Sequence, residues 1–203
     1  MTNYHSSKKP WPHQLRALAA IDGHQSFALL MAMRTGKTKV LLDDFGRLEA
    51  ANKVADLLVI APAGVYRTWE TAIADHIGPS LLPRLRVFTW AASLGAKGER
   101  ELTKFLKASS PRILLMNVEA LSGVDRARTL ALDFVKNKPT MIAVDESTAI
   151  KTPSARRAKF ICEKLGPLAK YRRILTGLIA PKSPLDVYMQ FYFLNPNILG
   201  FKK

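Results

Sequence analysis

The sequence predicts an α/β domain: a mostly parallel sheet with helices on both faces. Three observations lead there. Short apolar runs alternate with segments of helical spacing, the pattern of parallel strands joined by right-handed crossovers. One run, 26–32, leads into Met33-Arg34-Thr35-Gly36-Lys37-Thr38 and then into the helix-like Lys39-Val40-Leu41-Leu42. A later run, Thr140-Met141-Ile142-Ala143-Val144, ends in the acidic pair Asp145-Glu146.

Strands are expected at 26–32, 56–61, 85–89, 112–116, 140–145 and 172–176. Runs such as Leu57-Leu58-Val59-Ile60-Ala61 are apolar without alternation, as strands covered on both faces must be. Between them, Trp69, Ala72, Ile73 and His76 recur at helical spacing, as do Leu102, Phe105 and Leu106. That spacing reads Trp69 as a core aromatic. Gly95 and Gly98 punctuate a loop. Thr152-Pro153 and Ser183-Pro184 each set a capping side chain before a proline at a first helical position, and Asp186 adds an acidic group to the second of these turns. Segment 184–194 is apolar around its whole circumference, so it is either buried on all sides or facing something outside this chain.

Bulk properties narrow the class. The 203 residues suit a single domain, 1–203, and a hydrophobic content of 48% excludes general disorder. No apolar run approaches the ~18 residues of a membrane span, and Met1–Lys9 lacks a signal-peptide core. The single cysteine, Cys162, excludes an internal disulfide and a cysteine-rich zinc site; it shares a helical face with Ala158, Ile161 and Leu165 and reads as a core thiol. These features favour a cytoplasmic protein. Thirty-one Lys and Arg against 16 Asp and Glu leave a net charge of +15, which points to a polyanionic partner. The basic residues, among them Arg84, Arg126, Arg128, Lys138, Arg157, Arg172 and Arg173, are scattered rather than gathered in one tract.

The chemistry concentrates at two places. A strand, a tight loop ending in Gly36, and Lys37-Thr38 at a helix start form a phosphate-binding arrangement, in which backbone amides and the helix dipole face a polyphosphate. Lys37 then reaches the β- and γ-phosphates of ATP and the Thr38 hydroxyl ligates Mg²⁺. The fuller pattern has glycine where this chain has Met31. At the end of the 140–145 strand, Asp145 is placed to hold Mg²⁺ through water and Glu146 to orient the water that attacks the γ-phosphate.

Taken together these blocks resemble the first RecA-like lobe of superfamily-two helicases, specifically the Swi/Snf-type helicase-like DNA translocases, which include compact bacterial and phage members. The likeness runs from Pro10 to Gly200 and implies a RecA-like P-loop NTPase domain. Pro12-His13-Gln14-Leu15 resembles the glutamine element that recognises adenine, 23 residues before Lys37; the resemblance assigns His13 and Gln14 there, with Trp11 as a neighbouring stacking surface. Met33, Arg34, Thr35, Gly36, Lys37 and Thr38 match motif I. Leu58 to Val65, followed by Trp69, looks like motif Ia, where amides at Ala63 and Gly64, with Arg67, approach a DNA phosphate. Leu115 to Leu121 resembles the next DNA-facing block and supplies Asn117. Val144 to Lys151 looks like motif II, whose trailing Lys151 is a further DNA contact. Arg173-Ile174-Leu175-Thr176-Gly177 resembles the start of motif III, which implies a coupling role for Thr176 and Gly177. Leu194-Asn195-Pro196 with Leu199-Gly200 resembles the close of the lobe.

Three departures stand out. Motif II reads Asp145-Glu146-Ser147-Thr148, where many relatives carry histidine at the fourth position. After Gly177 the chain reads Leu178-Ile179-Ala180 instead of Thr-Pro. The second lobe, which carries the family's arginine finger, is absent from this sequence, and such a finger supplies on the order of 10³–10⁵ in rate. The resemblance therefore implies an ATP- and Mg²⁺-using, DNA-dependent ATPase lobe, weakly active alone, that contacts DNA backbone without sequence preference. A second lobe or another protein is its expected partner, and no membrane is. The alternative is a non-motor adapter that binds DNA or a protein, and a small-molecule kinase is a more distant one.

Overall fold

The computed structural model describes residues 4–200, apart from the side chains of Tyr66 and Arg67. Strands β1 (Ser26–Leu30), β2 (Asp56–Ala61), β3 (Arg86–Thr89), β4 (Arg112–Asn117), β5 (Thr140–Asp145) and β6 (Tyr171–Thr176) form one all-parallel sheet, in the order β1-β6-β5-β2-β4-β3. Alternate residues along each central strand enter two separate cores. Leu57, Val59, Ala143 and Leu175 face one, beneath α1 (Pro12–Ile21), α2 (Lys37–Ala50) and α3 (Tyr66–His76). Leu58, Ile60, Val144 and Ile174 face the other, beneath α4 (Ala96–Lys107), α5 (Ala120–Gly123), α6 (Asp125–Asn137), α7 (Arg156–Lys159) and α8 (Tyr188–Leu194). The period-two alternation of side chains, with both sets apolar, is what a parallel sheet covered on both faces requires.

Charges buried in these cores are neutralised in place. Arg112 is fully buried, donating through Nε and Nη2 to Asp56 and through Nη1 to Leu106 O at 2.6 Å, with Phe134 4.9 Å beneath its guanidinium. Arg173 Nε donates to Asp44 Oδ2 at 2.8 Å, and its remaining nitrogens reach the carbonyls of His24, Gln25 and Arg172. Lys39 pairs with Asp43 at 2.8 Å. Each pair is neutral, so the whole excess of +15 lies outside them.

Several expectations are corrected. β1 ends at Leu30, and residues 31 and 32 belong to the loop. Thr152-Pro153 opens a turn, not a helix: Thr152 O accepts from Ala155 N, and α7 begins only at Arg156, because proline's fixed φ serves a turn equally well. Gly98 lies inside α4, with Gly95 as its N-cap. Arg173, counted among the scattered basic residues, is buried. Segment 184–194 is not one helix buried all round. It is a 3₁₀ turn, Pro184–Val187, capped by Ser183 as expected and leaving Leu185 exposed, followed by α8, which buries Met189, Gln190, Phe193 and Leu194. Cys162 sits in the core as expected, in a π-helical turn, Phe160–Leu165, that continues α7.

Asp56→Ala leaves the Arg112 guanidinium buried without its counter-charge. We expect a loss of about 3–5 kcal/mol in urea unfolding, the range for breaking one partner of a buried pair.

Candidate nucleotide site

The loop from Met31 to Gly36 joins β1 to α2 at the carboxyl edge of the sheet. Two left-handed residues shape it, Arg34 at φ 62° and Gly36 at φ 84°. Thr35 Oγ1 donates to Ala32 O at 2.7 Å and braces the bend. No side chain caps α2, so the first amides of this 14-residue helix lack intrahelical partners and face the loop mouth. Glycine at position 36 is required twice. A β-carbon there is strained at that φ, and it would lie 2.3 Å from Gln14 Nε2.

Gln14 and His13 close this contact from α1. Gln14 is 4% exposed; its Nε2 donates to Thr35 O at 3.2 Å and its Oε1 accepts from Trp11 N at 2.9 Å. His13 Nε2 lies 2.9 Å from the same carbonyl. Trp11 is exposed, with its ring tilted 5.7 Å from that of His13. Lys37 Nζ turns back over the loop and donates to Met31 O at 3.1 Å and Ala32 O at 3.3 Å.

Met33, Arg34, Gly36, Lys37 and Thr38 line one side of an open cavity of about 650 Å³, and Asp145 and Glu146 line the other. Asp145 is buried at the end of β5, accepting from Glu146 N at 3.0 Å and from the indole Nε1 of Trp69 at 3.0 Å. Burial pushes its carboxyl above the usual range, opposed by the Trp69 and Glu146 donors and by the charge of Lys37. Glu146 is pushed up by burial first and by the Asp145 charge second, against Lys37. Its backbone is left-handed, φ 46°. A helix N-terminus with a lysine and a hydroxyl, facing two carboxylates, suits a polyphosphate and a hard cation bound through oxygen. Among the described residues no group of three or more His, Cys, Asp and Glu is placed to hold a metal by itself. A Mg²⁺ that takes most of its ligands from phosphates and water needs none.

Of the residues assigned to nucleic acid, Ala63, Asn117 and Lys151 are already engaged by carboxylates. Ala63 and Gly64 follow β2 in an exposed turn, with Gly64 at φ 86°. Ala63 N donates to Glu119 Oε2 at 3.2 Å, and Asn117 Nδ2 lies 3.4 Å from the same oxygen. The Glu119 carboxylate thus holds the place expected for a phosphate. Lys151 is not a free surface cation: its Nζ is 2.9 Å from Asp186 Oδ2. The side chain of Arg67 lies outside the described residues. Thr176 is buried, exchanging hydrogen bonds with Leu178 through its hydroxyl. Gly177 meets the loop directly, since a β-carbon on it would stand 3.2 Å from Met33 Cγ. A smaller cavity of about 260 Å³ joins Met33, Glu146, Thr148, Thr176 and Leu178.

Two contacts were missed in the sequence. The Trp69 indole had one available signal, because a buried N–H must find an acceptor. Glu119 carried none.

A family profile described as the SNF2-related domain matches residues 15–203. Among solved structures the chain is similar to the Sulfolobus solfataricus SWI2/SNF2 ATPase core in complex with dsDNA, at a TM-score of 0.74 and 24% identity, over 99% of this chain and 39% of that one. The chain thus spans well under half the length of that relative. No functionally curated protein matches it.

Gly36→Ala should lower both stability and any nucleotide affinity. Adding Gln14→Ala removes the collision but not the strain, so we expect partial recovery of the melting temperature and no more. Asp145 gives a pH test. Its folded-state pKa is raised, so its burial costs stability fully above that pKa, and the cost fades as pH falls toward the unfolded value. Asp145→Asn removes the titrating group, so it should flatten the acid side of the stability profile, read as melting temperature against pH.

Proposed function

The chain belongs to the SNF2-related domain family and has the RecA-like fold of a Swi/Snf-type first lobe, and from that premise we propose that it is the ATP-binding lobe of a DNA-dependent, helicase-like ATPase. The observation that carries this reading is the single cavity shared by Lys37 and Thr38 on one side and Asp145 and Glu146 on the other.

In this reading Lys37 leaves the Met31 and Ala32 carbonyls for the β- and γ-phosphate oxygens, and the α2 amides take the remaining charge. Thr38 and Asp145 would hold Mg²⁺, Asp145 through water, and the ion when bound would supply neutralisation of phosphate charge. Glu146 accepts a hydrogen bond from the attacking water and draws its proton away from the γ-phosphate side. Met33, Arg34, Thr35 and Gly36 complete the cradle. Gln14 retains one amide hydrogen and one carbonyl lone pair beyond its present bonds, enough to read an adenine edge, with His13 beside it.

For DNA, the Ala63 and Gly64 amides and Asn117 take a backbone phosphate in place of the Glu119 carboxylate, aided by Arg67. Lys151 joins them after release from Asp186. Such contacts ignore base sequence and weaken steeply with salt. The solved relative bound to dsDNA supports duplex DNA as the substrate. Gly177 against Met33 gives Thr176 and Gly177 a direct route from this edge to the ATP loop. Turnover by this lobe alone is slow, and a second lobe supplies the missing cation. Leu178-Ile179-Ala180, with Leu178 exposed beside Thr176, favours the adapter as the second reading.

Calorimetry and turnover assays test this. Lys37→Ala should abolish ATP binding. Glu146→Gln should keep binding and lower turnover at least about a hundredfold. Duplex DNA should stimulate the parent; DNA binding without any turnover selects the adapter, and ATP binding undiminished in Lys37→Ala removes the site assignment.

A further inference from the structure

Trp69 is the largest fully buried side chain among the described residues, and its one polar side-chain atom is spent on Asp145. The indole sits in the core beneath α1, α2 and α3, together with Val40, Leu41, Val59 and Ile73. Its Nε1–H reaches Asp145 Oδ2 at 3.0 Å, while Asp145 Oδ1 is held by the Glu146 amide. Both carboxylate oxygens are therefore oriented, one by local backbone and one from a helix 76 residues away in sequence.

The same helix begins at the loop assigned to DNA. Val65 N donates to Pro62 O at 3.3 Å, and Trp69 N donates to Val65 O at 3.1 Å. Ala63 and Gly64 thus sit inside a hydrogen-bonded turn that runs without a break into the first turn of α3. A large aromatic ring locked in a close-packed core has no room to swivel on its own. A displacement of the turn must carry the ring, and the ring carries the Asp145 oxygen.

We propose that Trp69 is a positioning residue that orients Asp145 for Mg²⁺-nucleotide and links that carboxylate mechanically to the Ala63–Gly64 loop. This rests on the functional reading above, in which Asp145 holds the cation and the loop meets DNA. Donors to a metal-holding carboxylate change metal affinity by about ten- to a hundredfold when removed.

The test is Trp69→Phe, which keeps most of the ring and removes the donor. ATP binding is followed by calorimetry across a Mg²⁺ series, with and without duplex DNA, and in the absence of divalent cation. The variant should need about ten- to a hundredfold more Mg²⁺ for half-saturation, and DNA should shift that requirement in the parent but not in the variant. Metal-free ATP affinity should stay within about twofold, which loss of packing alone would not spare. A Mg²⁺ requirement equal to the parent's overturns the inference, as does an equal loss of metal-free and metal-supported binding. If the parent itself binds no Mg²⁺-ATP, the functional reading fails and this inference with it. A measurement on the parent covers the case of a variant that does not fold. The Trp69 indole ¹H–¹⁵N resonance, assigned against Trp11→Phe and Trp90→Phe, should move when Mg²⁺ is added to the ATP-bound chain, and an unmoved resonance overturns the proposal.

Discussion

Insertion of β6 between β1 and β5 is the pairing on which the candidate site depends. β1 delivers the loop that carries Lys37 and Thr38, and β5 delivers Asp145 and Glu146, yet the two strands do not pair with each other. Each is registered against β6, with Leu30 opposite Thr176 and Asp145 opposite Leu175. Neighbouring strands lie about 4.8 Å apart, so the two halves of the cradle stand roughly 10 Å from one another. That gap admits phosphate groups and an ion and keeps the lysine from collapsing onto the carboxylates. The pairing also joins residues far apart in sequence, the kind of non-local pairing that slows folding.

The two edges of the sheet treat buried charge in opposite ways. At the amino edge, Asp56 and Arg112 pair fully, and Arg173 on β6 is matched by Asp44 of α2. At the carboxyl edge, Asp145 takes its hydrogen bonds from neutral donors, Lys37 acts on it without a direct bond, and burial raises its proton affinity all the same. A buried carboxylate satisfied in direction but not in charge is receptive to a cation. Stability is invested at one end of the strands, and affinity is kept in reserve at the other.

Most of the sheet was legible in the sequence because strands covered on both faces admit almost no polar residue, which makes runs such as 56–61 and 140–145 stand out. The loop was legible for a different reason: its tight bend restricts residue type, and Gly36, left-handed and pressed against Gln14, satisfies that restriction locally. What was not legible depended on distant partners. Lys151 read as a DNA contact because its partner Asp186 lies 35 residues on, and Arg173 was counted among the scattered basic residues because Asp44 lies 129 residues back. Thr152-Pro153 failed for a local reason, since proline serves a turn and a helix start alike. Trp69 was assigned correctly to the core, but helical spacing says nothing of where an indole nitrogen points.

Glu146 holds a left-handed backbone at φ 46°, a conformation that costs a residue with a β-carbon roughly 1–2 kcal/mol. Glycine or asparagine would occupy that corner more comfortably. On the proposed reading, the contact of the Glu146 carboxylate with the attacking water is what offsets the strain. In a related lobe retained for docking alone, this is where the sequence would be free to relax, and a glycine found there would mark a retired engine.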